Sequence, residues 1–381
     1  GYRVLAVAAG SVGEVAPASL RGLTLFGFVG LIDPVRAEVP EALRRCARAG
    51  VGVRMITGDH PATALTIGRE IGIAAQDSDV VPGSVLAQLA SDPAGFDAAV
   101  ASARIFARVE PTQKLEIVRS LQRAGHVVAV TGDGVNDAPA LHAAEIGVAM
   151  GAGGTDAARG AADIILTDDN FASIVAGIEE GRIAYDNVRK VVLMLVSTGA
   201  AEVALFFLAL GFGTPLPLFA LQLLWLNLVT NGIQDVALAF EAGEPEILAR
   251  PPRAPGQPIF EGTMLGQVAL SGAVISGVGF AFFATALTLG MAEAEARNLL
   301  LLLMVCFENA HVLNCRSETR SILRIPLRSN PFVVLAVLGA QGAQIAAMYV
   351  PGLSDALAIA PVSAAHWFLV IGLATTLIAA M

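Results

Sequence analysis

Residues 131–141 read TGDGVNDAPAL, and this stretch decides the fold of the chain. It follows an apolar run with the composition of a strand, so its polar residues stand where a strand ends. Gly132 and Gly134 let the backbone come close to a phosphate group, because glycine has no side chain to hold it away. Asp133 and Asp137 supply the oxygen ligands that Mg²⁺ prefers. The stretch therefore predicts a site for phosphate and Mg²⁺ at the carboxyl end of a strand.

Residues 1–170 alternate short apolar runs with helical stretches. Apolar runs that are closed by Gly or Asp and followed by a helix indicate βα units and hence a parallel sheet. Ligands of such sheets bind at the carboxyl ends of the strands. Residues 76–103 are rich in Ala, Asp and Ser and are predicted to form a surface excursion. The predicted strands are 25–31, 51–57, 104–107, 126–131, 146–150 and 163–166, and the predicted helices include 38–49, 61–71 and 112–124.

Two further segments place polar groups after predicted strands. Thr57, Gly58 and Asp59 follow one strand, and Thr57 and Gly58 can donate hydrogen bonds to phosphate oxygens. The run FARVEPTQK, residues 106–114, follows another and ends in Lys114, which supplies a point cation. Phosphoryl transfer needs charge neutralisation, hydroxyl and backbone donors, and carboxylates that hold Mg²⁺. Together the three segments predict a phosphoryl-transfer site.

The composition of the chain indicates a membrane region. Of the 381 residues, 55% are apolar and only 15% are charged, whereas soluble domains have about 45–50% apolar and about 25% charged residues. From about residue 170 a helix that carries Arg182, Arg189 and Lys190 continues into apolar sequence, which predicts a stalk helix at 171–190. The predicted spans, each close to the roughly 20 residues that a bilayer helix needs, are 191–211, 217–240, 264–289, 297–314, 331–350 and 362–381.

The connections between these spans differ in charge, which predicts their orientation. Residues 315–330 contain four Arg and residues 241–260 contain two, whereas 212–216 and 351–361 contain neither Lys nor Arg. By the positive-inside rule, the Arg-rich connections and the α/β domain lie on the cytoplasmic side of a multi-pass membrane protein.

Net charge and cysteine usage exclude other classes. The net charge of −9 argues against a nucleic-acid partner. Cys46, Cys306 and Cys315 lie far apart in the sequence, so they predict neither a metal-ligand pair nor a disulfide framework.

Polar side chains inside the predicted spans are costly in lipid, so each is a candidate functional group. Asn227, Asn231, Gln234 and Asp235 are spaced i, i+4, i+7 and i+8, which places them on one helical face. Oxygen-rich side chains from several helices suit a hard or alkali cation. The alternative is that these groups only join one helix to another by hydrogen bonds. The candidate ligands of a transported cation are Glu202, Asn227, Thr230, Asn231, Asp235 and Glu308.

The run 131–141 resembles the hinge signature of P-type ATPases, which belong to the haloacid-dehalogenase superfamily. Supporting matches are DPVR at 33–36, TGD at 57–59, RVEP at 108–111 and Lys114. The resemblance covers essentially the whole chain. It implies an α/β haloacid-dehalogenase-like phosphorylation domain with a Rossmann-like parallel sheet, followed by an all-α transmembrane bundle of six helices. The implied domains are 1–170, with the end of a nucleotide-binding domain at 1–20, then the stalk at 171–190 and the membrane domain at 191–381.

The resemblance also implies site roles, with ATP and Mg²⁺ as cofactors and an aspartyl-phosphate intermediate. Asp133 is the implied Mg²⁺ ligand, and Asp137 is implied to support Asp133 without binding Mg²⁺ directly. Thr57 and Lys114 are implied to hold the phosphate. The other implied site residues are Gly58, Asp59 and Asn136 near the phosphate, and Asp33, Arg36 and Arg108 toward the nucleotide.

One part of the family's pattern is missing from the sequence. The family's nucleophilic Asp stands in an Asp-Lys-Thr-Gly-Thr run, and no such run occurs here. The order of the motifs places that run upstream of Gly1. We therefore expect a C-terminal fragment that needs the N-terminal part of the same pump and forms no aspartyl-phosphate alone.

The predicted spans resemble those of type II pumps of the calcium and sodium/potassium kind, with LWLNLVT at 224–230 as the sharpest match. Relative to the calcium pumps, Asn231 stands where a ligand Asp is expected and Gly199 where a ligand Asn is expected. Asp235, one turn further along, is the nearest candidate to restore the lost charge. The resemblance favours Ca²⁺ and leaves Na⁺, H⁺ and Mg²⁺ open. The alternatives are a heavy-metal pump, a lipid flippase and a membrane-anchored phosphatase of the same superfamily.

Overall fold

The computed structural model describes residues 3–10, 22–31 and 34–381. The chain divides into two compact units, residues 1–179 with 248–255 and residues 180–247 with 256–381. We call them the α/β unit and the helical unit. The domain limits predicted from the sequence stay predictions.

The α/β unit begins with an antiparallel ribbon. Strands β1 (Arg3–Ala9) and β2 (Thr24–Leu31) pair along their whole length, with a register shift between Val7 and Ala8. The ribbon carries exposed apolar side chains, among them Phe26 and Phe28. A strand was predicted at 25–31, but the parallel sheet expected for the whole region does not include it.

The rest of the α/β unit contains two three-stranded parallel sheets, in the orders β3-β5-β4 and β6-β7-β8. β3 and β6 are edge strands, and each is followed directly by one of the predicted polar motifs. The parallel arrangement expected from the sequence is therefore confirmed. The strands are β3 (Met55–Thr57), β4 (Val80–Pro82), β5 (Ile105–Ala107), β6 (Ala129–Gly132), β7 (Ile146–Met150) and β8 (Ile164–Leu166).

The helices of this unit lie between the strands. Helix α2 begins where the His60 ring accepts a hydrogen bond from the Ala62 amide, and it ends at Gly72, whose φ of +79° suits glycine. Pro61 stands at the first helical position, where a missing N–H costs nothing. The helices are α1 (Val39–Arg48), α2 (Pro61–Ile71), α3 (Gly83–Gln88), α4 (Pro93–Ser102), α5 (Pro111–Arg123), α6 (Ala138–Ala143) and α7 (Asp156–Ala161).

Two expectations for this unit were wrong. Strand β3 begins at Met55 rather than at 51, because Val51 and Val53 pack against Ala42 and Cys46 instead of pairing in the sheet. Residues 76–103 are not a surface excursion. They contain β4, α3 and α4, and they bury Leu86, Phe96 and Val100 in the same core cluster as β5. The apolar residues of that segment are spaced irregularly among Ala and Asp, which hid its core face.

The helical unit contains long apolar helices. Among the described residues, four are long and apolar enough to cross a membrane: α8, α11, α12 and α13. Of the most apolar stretch of α12, 94% is buried, against 33–39% for the other three, so α12 is the central helix. The helices are α8 (Phe171–Gly211), which begins in the α/β unit, α9 (Ala220–Trp225), α10 (Asn231–Leu238), α11 (Gly262–Thr288), α12 (Glu293–Asn314), α13 (Pro331–Tyr349), α14 (Leu353–Leu357) and α15 (Ala364–Ala380).

Two of the six predicted spans do not meet that length criterion. Residues 220–238 are helical throughout, but a π-helical turn at Leu226–Thr230 joins α9 to α10. The last predicted span corresponds to α15, an apolar helix of 17 residues. The number of spans therefore stays a prediction, although a helix lies at every predicted position.

Candidate functional sites

Asp137 organises the polar cluster after β6. One of its carboxylate oxygens lies 2.6 Å from the Lys114 ammonium of α5. The other accepts hydrogen bonds from the backbone amides of Asp133 (3.3 Å) and Gly134 (3.2 Å). The Lys114 and Asp137 side chains are 22% and 14% exposed, so the pair is only partly screened by water. Asp137 therefore joins Lys114 to the loop that carries Asp133.

Gly132 makes this approach of Asp137 possible. A Cβ atom on residue 132 would lie 2.5 Å from Asp137 Cβ and 2.8 Å from its carboxylate carbon, well inside contact distance. The glycine that the sequence suggested for a close approach to phosphate is thus required by the neighbouring carboxylate.

The backbone of Asp133 is held from a second direction. The Thr155 amide and hydroxyl both donate to the Asp133 carbonyl oxygen, at 2.8 and 3.1 Å. The Thr155 hydroxyl also accepts from the Ala158 amide, which caps α7. Asp133 is exposed, so its carboxylate projects from a fixed backbone. Sequence reasoning missed Thr155; its position before a short helix was the available signal.

The loop before Thr155 is itself anchored. The Asp169 carboxylate accepts hydrogen bonds from the amides of Gly153 (2.6 Å), Ala152 (3.0 Å) and Gly151 (2.7 Å). These bonds, that of Gly153 first, hold the pKa of Asp169 below its ordinary value, because they stabilise the ionised form. Asp169 was also missed by sequence reasoning.

Thr57, Gly58 and Asp59 form a tight turn after β3. The Thr57 hydroxyl donates to the Asp59 carboxylate (3.2 Å) and accepts from the Asp59 amide (3.1 Å). The Arg108 amide donates to the Asp59 carbonyl at 3.1 Å, and Arg108 adopts a left-handed backbone with φ of +51°. The structure thus brings this turn together with Arg108, at the carboxyl ends of the paired strands β3 and β5.

The remaining predicted residues of the α/β unit lie as follows. Asn136 is exposed beside Asp137. The Arg36 guanidinium donates a short hydrogen bond to the Asp169 carbonyl. Asp33 lies outside the described residues, so its predicted role toward the nucleotide stays a prediction.

In the helical unit, Glu202 of α8 and Asn227 of the π-helical turn form a closed pair. The Asn227 amide nitrogen lies 3.0 and 2.9 Å from the two Glu202 carboxylate oxygens. It also lies 3.0 Å from the Leu223 carbonyl oxygen. Glu202 is buried, so Asn227 provides hydrogen bonds that lipid cannot.

The π-helical turn supplies a second pair. The Thr230 hydroxyl donates a short hydrogen bond to one carboxylate oxygen of Glu308, in the buried helix α12. The backbone N–H of Asn231 donates to the backbone carbonyl oxygen of Leu226, five residues earlier, which is the spacing of a π-helix. Such single π-helical turns occur frequently at functional sites.

Several buried oxygen atoms near these pairs have no hydrogen-bond partner. Asn231 donates to the Thr198 hydroxyl at 3.2 Å, but its carbonyl oxygen is unpartnered. The unpartnered side-chain oxygens on α10 are Asn231 Oδ1, Gln234 Oε1 and Asp235 Oδ1, and those on α12 are Glu308 Oε1 and Asn298 Oδ1, the latter ten residues before Glu308.

These oxygens form a mixed set of carboxylates and amides. Within the described ranges, no group of three or more His, Cys, Asp or Glu side chains is arranged to hold a metal ion. A hard cation accepts carboxylate, amide and hydroxyl oxygens together, so these oxygens are of the types that such an ion binds.

Comparisons with known proteins identify the family of this chain. A model described as haloacid dehalogenase-like hydrolase matches residues 6–145, and one described as cation transporting ATPase, C-terminus, matches residues 215–381. The probable cation-transporting ATPase F of Mycobacterium tuberculosis is 40% identical over 389 residues, covering 99% of this chain and 42% of that protein. The calcium-transporting ATPase of Bacillus subtilis is 37% identical over 355 residues (93% and 39%). The calcium-transporting ATPase type 2C member 2 of Mus musculus is 36% identical over 377 residues (99% and 39%).

The chain belongs to the P-type cation-transporting ATPases. This confirms the resemblance found in the sequence, including the haloacid-dehalogenase-like nature of the α/β unit. It also makes this chain part of an enzyme family and of a membrane protein. The chain spans about two fifths of the length of these curated relatives.

Proposed function

We propose that this chain supplies the phosphate-binding and ion-binding parts of an ATP-driven cation pump. The observation that carries the proposal is the group of buried, unpartnered oxygen atoms of Asn231, Gln234 and Asp235 on α10 and of Glu308 on α12. Each buried, unpartnered polar atom destabilises the fold by roughly 1–3 kcal/mol. Four such atoms on the helices α10 and α12 are explained better by a bound cation than by four independent packing defects.

The proposed transport site contains Glu202, Asn227, Thr230, Asn231, Asp235 and Glu308. Asn227 and Thr230 orient the two glutamates, and the unpartnered oxygens of Asn231, Asp235 and Glu308 are left for the ion. Two relatives are named calcium-transporting ATPases, and carboxylate and amide oxygens suit Ca²⁺. We therefore propose Ca²⁺ as the first ion to test, followed by Na⁺, H⁺ and Mg²⁺.

The proposed phosphoryl site uses the cluster around Asp137. Asp133 would hold Mg²⁺, because its carboxylate is exposed on a backbone fixed by Thr155 and Asp137. Lys114 would neutralise phosphate oxygens, and Thr57 with Gly58 would donate hydrogen bonds to them. Asp59, Asn136 and Asp137 would hold this arrangement in place, and Asp33, Arg36 and Arg108 would lie toward ATP.

The proposed reaction transfers the γ-phosphoryl group of ATP to an aspartate carboxylate. The bond between the γ-phosphorus and the bridging oxygen breaks, ADP leaves, and an acyl phosphate forms. Water later cleaves the acyl phosphate and releases inorganic phosphate. We propose that the acceptor aspartate belongs to the part of the pump that this chain does not span. Mg²⁺ supplies charge neutralisation in this transfer.

The proposed setting is a lipid bilayer crossed by six helices, with the α/β unit on the cytoplasmic side. The helices at all six predicted positions and the Arg-rich connections support this arrangement.

The experiment that tests the proposal is ATP-dependent ion uptake. A pump of the relatives' full length that contains this chain would be reconstituted in sealed vesicles, with each of Ca²⁺, Na⁺ and Mg²⁺ supplied in turn. We expect uptake of one cation and an acid-stable phosphoenzyme. ATP hydrolysis stimulated by a lipid or by a soft metal ion, without uptake of any of these cations, would support a flippase or a heavy-metal pump instead.

A further inference from the structure

Three amide side chains form a hydrogen-bonded chain beside the proposed cation site. The Gln234 amide nitrogen of α10 donates to Asn309 Oδ1 of α12 at 2.7 Å. The Asn309 amide nitrogen donates in turn to Gln341 Oε1 of α13 at 2.9 Å. Gln234 is 0% exposed, Asn309 is buried and Gln341 is half-buried. We call this set the amide chain.

The amide chain has a direction. A primary amide offers a carbonyl acceptor at one end and an NH₂ donor at the other. Because Asn309 uses its nitrogen toward Gln341, its oxygen is left to accept from Gln234. The Gln234 nitrogen is thereby engaged, and the two ends of the amide chain, the Gln234 side-chain oxygen and the Gln341 side-chain nitrogen, are left without a partner.

Gln234 is a near neighbour along the chain of groups already assigned to the cation. Gln234 precedes Asp235 and follows Asn231 by three residues, so the three share a helical face. On α12, the partner Asn309 directly follows Glu308. Asn231, Asp235 and Glu308 each have an unpartnered oxygen as well.

We propose that Gln234 Oε1 is a ligand oxygen of the transported cation, and that Asn309 and Gln341 are positioning residues that keep this oxygen facing the ion. The inference rests on the proposed transport site. An amide oxygen adds coordination without adding charge, so Gln234 completes the shell of a hard cation whose charge Glu308 and Asp235 balance. An amide whose orientation is already fixed loses less conformational entropy when the ion binds than a freely rotating side chain does.

The chain offers a matched control on the same helix. Gln344 lies three residues after Gln341 in α13, but its oxygen accepts from the Trp225 indole at 2.7 Å and it is not part of the amide chain. Both glutamines hold α13 to a neighbouring helix. A change that acts only through helix packing would therefore affect the two variants alike.

The test is equilibrium binding of radioactive Ca²⁺, and of Na⁺ in parallel, to the 381-residue chain in lipid nanodiscs. Loss of groups that hold a metal ligand in place typically weakens metal affinity about 10- to 100-fold. We expect Gln234→Met to lower affinity by about 100-fold and Gln341→Leu by about 10-fold. Gln344→Leu is expected to leave affinity unchanged. Gln341→Glu is expected to bind the ion more tightly than Gln341→Leu does, because a carboxylate still accepts a hydrogen bond from Asn309.

The outcomes separate this inference from the proposed function. Binding that is lost in Glu308→Gln but unchanged in Gln234→Met would overturn the ligand role of Gln234 and leave the transport site standing. Equal losses in Gln341→Leu and Gln344→Leu would overturn the positioning role. If the wild-type chain binds neither ion, the proposed transport site fails for Ca²⁺ and Na⁺, and this inference fails with it. Circular dichroism of each variant shows that it is folded, and Gln341→Leu tests the proposal with Gln234 intact.

Discussion

The two polar clusters of this molecule differ in how their charges are satisfied. In the α/β unit, the Asp137 carboxylate has Lys114 on one oxygen and two backbone amides on the other. In the helical unit, Glu308 has Thr230 on one oxygen and nothing on the other. The charge of Asp137 is therefore balanced within the chain itself, whereas no cationic side chain of the described residues is paired with Glu308.

This difference follows from the ligands that each cluster is proposed to bind. A phosphate arrives with its own negative charge and with Mg²⁺, so its site needs donors and a cation that are already in place. A transported cation must enter and leave, so its site needs oxygen atoms that no permanent group occupies. Removing a group should therefore abolish chemistry in the α/β unit, but shift affinity in the helical unit.

The largest effect is expected for Asp133→Asn in a full-length pump that contains this chain. An amide cannot replace the charge that holds Mg²⁺, so Mg²⁺-dependent phosphoenzyme formation should be lost while the protein still folds and inserts. Labelling with ATP that carries radioactive γ-phosphate measures this. Asp77→Asn, at an exposed carboxylate that pairs with Arg69, serves as the control. Normal labelling of Asp133→Asn would remove Asp133 from the site.

The next largest effect is expected for Lys114→Ala. Loss of one preorganised donor or cation typically slows catalysis by about 10²–10³-fold. Lys114→Arg should rescue the phosphorylation rate poorly, because a planar guanidinium does not replace a compact ammonium. Rapid-quench phosphorylation measures the rates. Arg119→Ala removes an exposed cation of the same helix and should change little; an unchanged rate in Lys114→Ala would contradict the assignment.

In the helical unit, Glu308→Gln should weaken cation binding more than Glu202→Gln. Both Glu202 oxygens lie near the Asn227 amide, whereas one oxygen of Glu308 is unpartnered. Acidic side chains at mid-bilayer cost roughly 2.5–3.5 kcal/mol on insertion scales, so both are expected to have a functional role. Equilibrium binding to the chain in nanodiscs measures the affinities. Glu293→Gln, half exposed beside Arg297, is the control.

The opposite order of the two effects on cation binding would assign the main ligand role to Glu202 instead of Glu308. If Glu202→Gln weakened binding more than Glu308→Gln, the ion would displace Asn227 from Glu202. The pair that is closed in this structure would then open when the ion binds.

A smaller effect is expected for Asp235→Asn. If Asp235 is a ligand that replaces the carboxylate missing at Asn231, equilibrium affinity should fall, and Asn231→Asp combined with Asp235→Asn should restore it. If Asp235 instead lines the access path, the transport rate should fall while affinity stays constant. The rise over four residues is about 6 Å, so these two roles are distinct in space. Unchanged affinity and unchanged rate would leave Asp235 with a structural role.

The sequence predicted the architecture better than it predicted the supports of the two sites. Strands and spans follow from local apolar runs, and β7 and α2 were predicted to the residue. Thr155 and Asp169 were not predicted, because they act on Asp133 through backbone contacts that depend on the folded loop. Gln341 was overlooked, although a glutamine in an apolar span is a visible signal.

Arg316 shows a different limit of sequence reasoning. It was counted as one of the Arg residues that orient the membrane spans. In the structure it is fully buried, and it forms two hydrogen bonds with the Glu241 carboxylate at 3.0 and 2.9 Å. A charge in a loop and a charge in a buried pair look alike in a sequence, since the partner lies 75 residues away.

The smallest effect is expected for Asp169, whose carboxylate anchors the Gly151–Gly153 loop. It tests whether the α/β cluster is held in place by groups of the chain itself. The pKa of Asp169 is lowered in the folded chain, mainly by the Gly153 amide. A carboxyl whose pKa is lower in the folded state stabilises that state above its unfolded pKa, and the contribution is lost as the pH falls through the folded pKa. Protection of the loop amides should therefore be constant near neutral pH and fall below about pH 4.

Amide hydrogen exchange, corrected for the intrinsic rate at each pH, measures this protection. In Asp169→Asn the fall should disappear, because no carboxylate remains to be protonated, and protection should be low at every pH. Asp163→Asn is the matched control: Asp163 accepts a hydrogen bond from the Gly147 amide, whereas the loop amides donate to Asp169. If protection in the wild-type chain does not change between neutral pH and pH 3, the loop is held by other contacts. Asp169 would then not be the anchor that keeps Thr155 on Asp133.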